Sequence, residues 1–196
     1  MKRLRFALAL LALVALVGGS NAFAADPVSS KLDYHVADAF IQAATGIPQT
    51  GAVATATTGP TAGHHVRVSG SGTFNLSSMK ATGGGVFVHT SGTGAVLGFG
   101  TWTATGVESA VLYPCGIPGV LPDNLCGGIV VLNVSLSGTS TTAGATQFGA
   151  LLTIDCEINP PTPGIEGIKL EIPGVLDFDT TEFSDGGLTV FVSRNR

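Results

Sequence analysis

Charge is scarce in this chain: of 196 residues, 9 are Lys or Arg and 13 are Asp or Glu. Nucleic-acid binding needs cations that displace phosphate counterions, and docking on anionic lipid needs a basic patch, so neither partner is expected. Aromatic residues are few as well, with 10 Phe, 2 Tyr and 1 Trp. That fits poorly with an outer-membrane barrel, whose strands carry girdles of aromatics. After residue 24 no apolar run approaches the roughly 20 residues of a spanning helix. Catalytic signatures are missing too. There is no Gly-x-Ser-x-Gly elbow for a nucleophilic serine. The four histidines, His35, His64, His65 and His89, lack the spacing of converging zinc ligands. Adjacent His64 and His65 point to opposite faces of a strand and read as exposed polar residues. No cofactor is implied.

The start of the chain is the clearest positive signal. Lys2, Arg3 and Arg5 precede an unbroken apolar run over residues 6–17, and Ala22-Phe23-Ala24 places small residues where a signal peptidase cuts. Residues 1–24 read as a cleavable secretory signal peptide, and the expected location is secreted or extracytoplasmic. Cleavage removes three cations and leaves 6 against 13 carboxylates, a net charge of −7 before His.

Residues 25–63 read as a short helix followed by a linker. Leu32, Val36, Phe40 and Ala44 recur every four residues, with Ser30 as a capping residue and Gly46 and Pro48 as a stop, which predicts an amphipathic helix over residues 32–44. Residues 49–63 consist mainly of Gly, Ala, Thr and Pro and show no periodicity.

From residue 64 to residue 196 the period is two. Val66, Val68, Gly70, Gly72, Phe74 and Leu76 share one face of a strand. Further strands are predicted over residues 85–90, 95–105, 107–113, 129–137, 148–158, 167–172 and 188–192, with a short one at 175–178. The clearest alternates Phe148, Ala150, Leu152, Ile154, Cys156 and Ile158 inward. The fold class is therefore all-β: an antiparallel meander of about eight strands closing as a barrel or a two-sheet sandwich, with one short N-terminal helix. A Gly-x-Gly motif followed by a β-branched residue and an aromatic recurs at Gly70–Phe74, Gly83–Phe87 and Gly98–Trp102. Because these glycines lie inside strands, they read as bends covered by an aromatic, not as a phosphate loop.

These elements resemble a group of small secreted bacterial β-domain proteins of uncharacterised function. The residues that carry the likeness are Gly70-Ser71-Gly72-Thr73-Phe74, Gly84-Gly85-Val86-Phe87-Val88-His89, residues 100–106 and Ile154-Asp155-Cys156, then Glu166-Gly167-Ile168 and Val190-Phe191-Val192. The resemblance spans roughly residues 66–192. It implies a secreted β domain and brings no active site with it.

Three cysteines in an exported chain permit a disulfide. Cys115 and Cys126 bracket a Pro/Gly-rich loop between two predicted strands and are the favoured pair, with Cys156 buried as a small apolar residue. Pairing of Cys156 with either of the others stays open. Residues 155–185 hold eight carboxylates and one cation, Lys169. Within them Asp177, Asp179, Glu182 and Asp185 form a weak calcium candidate that departs from the helical-loop template. Glu108, Asp155, Glu157, Glu166 and Glu171 are the carboxylates available for glycosidase-type chemistry. The alternation places Asp155, Glu157 and Glu171 outward toward solvent. The resulting expectation is a non-enzymatic secreted domain with a binding or cell-surface role. The alternatives are a carrier for a small apolar ligand with a lipocalin-like barrel, and a hydrolase or isomerase on the same scaffold. Inward Val, Leu, Ile and Phe point to a packed core; an open cavity would favour the carrier.

Overall fold

The computed structural model describes residues 31–194, so the expected signal segment, residues 1–24, lies outside the described residues. Strand β1 (Lys31–Val36) occupies the first half of the predicted helix. Leu32, Tyr34 and Val36 are buried, and Lys31, Asp33 and His35 face the other way. A four-residue spacing is also an even spacing, so Leu32 and Val36 satisfy both periods, and Tyr34 decides for the strand. The helix is only α1 (Ala39–Thr45). Asp38, not Ser30, caps it through a bond from the Ile41 amide at 3.1 Å, and Gly46 ends it at φ 73° as expected.

The segment read as a linker contains strand β2 (Ala52–Thr55). Ala52, Ala54 and Ala56 are fully buried. Their alternation is regular, but methyl side chains are too small to register as a hydrophobic pattern. The remaining strands are β3 (His65–Asn75), β4 (Lys80–Thr90), β5 (Val96–Ile117), β6 (Leu121–Ser140), β7 (Gly144–Cys156), β8 (Gly167–Ile172), β9 (Leu176–Phe178), β10 (Thr180–Glu182) and β11 (Thr189–Ser193). The 22-residue β5 merges two predicted strands, because the chain passes Gly106 by a shift of register without leaving the sheet. Among the described residues there are thus eleven strands, against the expected eight or so.

All pairings are antiparallel. Strands β3 to β9 follow one another as the predicted meander. The two ends of the chain depart from it. β1 lies between β3 and β11, and β11 pairs with β6. The path β1–β3–β4–β5–β6–β11 therefore returns to its start. At the opposite end of β3, β2 pairs with both β3 and β10.

The core is one cluster that includes Leu32, Tyr34, Phe74, Trp102, Leu132 and Phe191. Tyr34 stacks on Trp102 with ring centroids 6.1 Å apart, and Phe74 meets Phe191 edge-on at 5.6 Å. The glycine motif serves these aromatics. Gly70 pairs with Gly85 and Gly72 with Gly83, so β3 and β4 present bare backbone. Trp102 lies over it and donates from Nε1 to the Ser69 carbonyl at 3.1 Å, while the Tyr34 hydroxyl donates to the Thr82 carbonyl at 3.1 Å. A Cβ on Gly70 would sit 2.8 Å from Trp102 Cζ2, and its φ of 153° also favours glycine.

The favoured disulfide is present: Cys115 and Cys126 are cross-strand partners of β5 and β6, and Cys156 is free and buried. Among the described residues, no helix is long and apolar enough to cross a membrane.

Candidate functional site, an apolar cavity beneath a histidine pair

The inward faces of the sheet do not fill the space they enclose. Where β3 begins and β4 ends, they leave a partly open cavity of about 230 Å³. Phe87, Leu136, Leu170, Ile172 and Phe178 line it from β4, β6, β8 and β9. Gly98 and Gly138 contribute wall without side chains. Around it Phe99, Phe148 and Val175 are 52%, 37% and 62% exposed, an apolar rim in contact with water. Phe148 belongs to the strand with the clearest alternation, yet it stays partly exposed because the strand reaches the edge of the core there.

One titratable side chain lines the cavity. His89, on β4, meets Phe178 edge-on with centroids 5.3 Å apart. Its Nε2 lies 3.0 Å from Nδ1 of His64. Burial, and then the neighbouring His64, hold His89 below the usual imidazole range, so it is neutral at pH 7. The sequence reading of His64 as an exposed polar residue is corrected: it is half-buried and partnered.

His65, the next residue, faces the outer side, as the opposite-face reading of the pair expects. It too is half-buried. Its Nδ1 lies 2.8 Å from Thr55 Oγ1 and 3.2 Å from Glu182 Oε1, and the Thr55 hydroxyl also donates to Glu182. His65, Glu182 and Arg67 border an open outer cleft of about 580 Å³. Arg67 Nη1 donates to the Thr50 carbonyl at 3.1 Å. A carboxylate thus orients an imidazole there, in a cleft whose walls mix polar groups with Val53 and Val88.

A third group of polar residues lies near the disulfide. Asp155 projects away from Ile154 and Cys156, as alternation requires, yet its surroundings are not free solvent. Its Oδ1 is buried without a hydrogen-bond partner among the described residues. Burial raises its carboxyl to about 6, assisted by Glu157 and Glu166 and opposed by Lys169. Glu166 is raised as well, chiefly by burial, and accepts the Thr189 amide at 2.7 Å. The reading of Asp155 as simply solvent-facing is therefore corrected. Burial pushes the Cys156 thiol up to about 12, with Glu166 adding to it, so no thiolate forms there at neutral pH.

The calcium candidates Asp177, Asp179 and Glu182 have separate neighbours. Asp177 stands opposite Glu171 across β8 and β9. Asp179 accepts from the amide and hydroxyl of Thr57, and these bonds hold it below the usual carboxylate range. Glu182 faces Thr55 and His65, and Asp185 opens a short 3₁₀ turn, Asp185–Gly187. Among the described residues, no three His, Cys, Asp or Glu side chains converge as metal ligands would.

Sequence reasoning missed the cavity and the His64–His89 contact. The contact had a signal: a hairpin that pairs Asn75 with Lys80 also pairs Val66 with His89, which sets residue 64, two positions along on the same face, diagonal to residue 89. Comparison of the chain with family models, curated proteins and solved structures gives no match.

Proposed function

We propose that this is an exported, non-enzymatic binding domain with a barrel-like closure, and that it carries a small apolar ligand in the cavity between β4, β6, β8 and β9. The observation that carries this reading is the cavity itself, about 230 Å³, walled by Phe, Leu and Ile and open past an exposed apolar rim. An apolar cavity of about 150 Å³ suffices to hold benzene, so the ligand is of the size of one or two aromatic rings or a short acyl chain. Removing about 200 Å² of apolar ligand surface from water, at ~25 cal/mol per Å², gives about 5 kcal/mol and a Kd in the range of ~0.1–1 mM.

Trp102 does not line the cavity, so its fluorescence is a poor reporter. Prodan, a naphthalene dye whose emission shifts to the blue and brightens on leaving water, reads binding directly. A saturable rise is expected with wild-type protein. It is expected to be lost in Thr146→Trp, which places an indole in the cavity lining. No rise up to the solubility limit of the probe, or an equal rise in both proteins, refutes the carrier reading.

A further inference from the structure

The polar lining of the cavity narrows the class of ligand; this inference rests on the carrier reading. Besides His89, the polar side chains that line it are the hydroxyls of Thr139, Ser140 and Thr146, and no Asp, Glu, Lys or Arg does so. Ser140 is already engaged in its own turn, accepting from the Thr142 and Ala143 amides at 3.3 and 3.2 Å. His89 is different. Its Nε2 is taken by His64, whereas its Nδ1 has no hydrogen-bond partner among the described residues. Among the described residues the buried side-chain atoms without partners belong to Asp155, Ser184 and Ser193, and His89, which lines the cavity, is not one of them.

We propose that the ligand is an uncharged apolar molecule bearing one hydroxyl, a phenol or a medium-chain alcohol, with that hydroxyl bonded to Nδ1 of His89. A hydroxyl both donates and accepts, so it fits whichever tautomer the His64 contact selects. A carboxylate head group requires a cation, and none lines the cavity. An ammonium requires a carboxylate, which is equally absent from the lining. A plain hydrocarbon covers the imidazole without replacing its water, a loss of about tenfold or more in affinity.

The test is isothermal titration of the full protein with 1-naphthol, naphthalene and 1-naphthoate, each affinity corrected for transfer from water. The expected order places 1-naphthol at least tenfold tighter than naphthalene, with 1-naphthoate weaker than 1-naphthol. In His89→Leu the preference for 1-naphthol falls to near unity. The ¹⁵N shift of His89 Nδ1 in the wild type provides a readout independent of any variant, moving with 1-naphthol and not with naphthalene. If naphthalene equals 1-naphthol in the wild type, or 1-naphthoate binds tightest, the hydroxyl assignment fails and the carrier reading stands. If no aromatic binds, both fall.

Discussion

Replacing Asp155 by Asn makes the pH dependence of stability a direct reading of the acidic group beside the disulfide. In the folded protein the Asp155 carboxyl rises from its ordinary 3.8 to about 6, first because burial penalises its charged form, then because of Glu157 and Glu166. A raised carboxyl means that the folded state keeps a proton which the unfolded chain releases. The contribution of Asp155 to stability is therefore fully present below about pH 4, is lost as pH rises to about 6, and stays lost above. At about 1.4 kcal/mol per tenfold, the full gap is worth ~3 kcal/mol; Asp155 is only half-buried, and screening brings this to about 1–2 kcal/mol. Asn cannot ionise, so Asp155→Asn is expected to gain about 1–2 kcal/mol on wild type between pH 4 and pH 8. Urea unfolding of both proteins at pH 4, 6 and 8 measures it. The difference between the two pH limits cancels any pH-independent cost of the amide. An equal effect of the substitution at pH 4 and pH 8, or a wild type that gains on the variant as pH rises, would refute the assignment of a desolvated carboxylate with acidic neighbours.

Two further outcomes follow from packing and covalent structure. Replacing Cys115 and Cys126 by Ser opens a loop of sequence separation 11 and should cost about 3 kcal/mol in denaturant unfolding, while Cys156 in native protein should resist a thiol reagent until the chain unfolds. Gly70→Ala should cost about 2–5 kcal/mol and shift Trp102 emission, because the new methyl meets Trp102 and the β4 backbone; Gly149→Ala, with nothing within 4 Å, should be near neutral, and equal costs would discredit the close-approach argument.

Strands were legible in the sequence where large apolar residues alternate. β8 emerges at its observed limits and the centre of β7 is found, though β7 runs Gly144–Cys156 and not 148–158, because Leu152, Ile154, Ile168 and Leu170 are large and inward. β1 was hidden by a spacing that satisfies two periods at once, and β2 by side chains no larger than methyl. The Cys115–Cys126 bond was legible because a hairpin brings the ends of its loop together. The cavity was not, since it depends on what is missing: glycines at 98 and 138, and strand ends whose inward residues have no opposite neighbour. Asp155 illustrates a different limit. Alternation gave its direction correctly, but the desolvation it meets comes from segments remote in sequence, such as the one carrying Glu166.

Strand β11 closes the sheet between β1 and β6, with Leu32 beside Ser193 and the Arg194 amide donating to the Lys31 carbonyl at 3.4 Å. Translated into time, this seam means that β1 waits for β11. Until residues 189–193 emerge, β1 has only β3 for a neighbour, and the edge of β6 that receives Phe191 and Val192 stays open. Such distant pairing is slow to form, and hairpins such as β3–β4 and β6–β7 can assemble well before it. Residues 189–193 therefore join β1 to β6 only after the hairpins between them have had time to form.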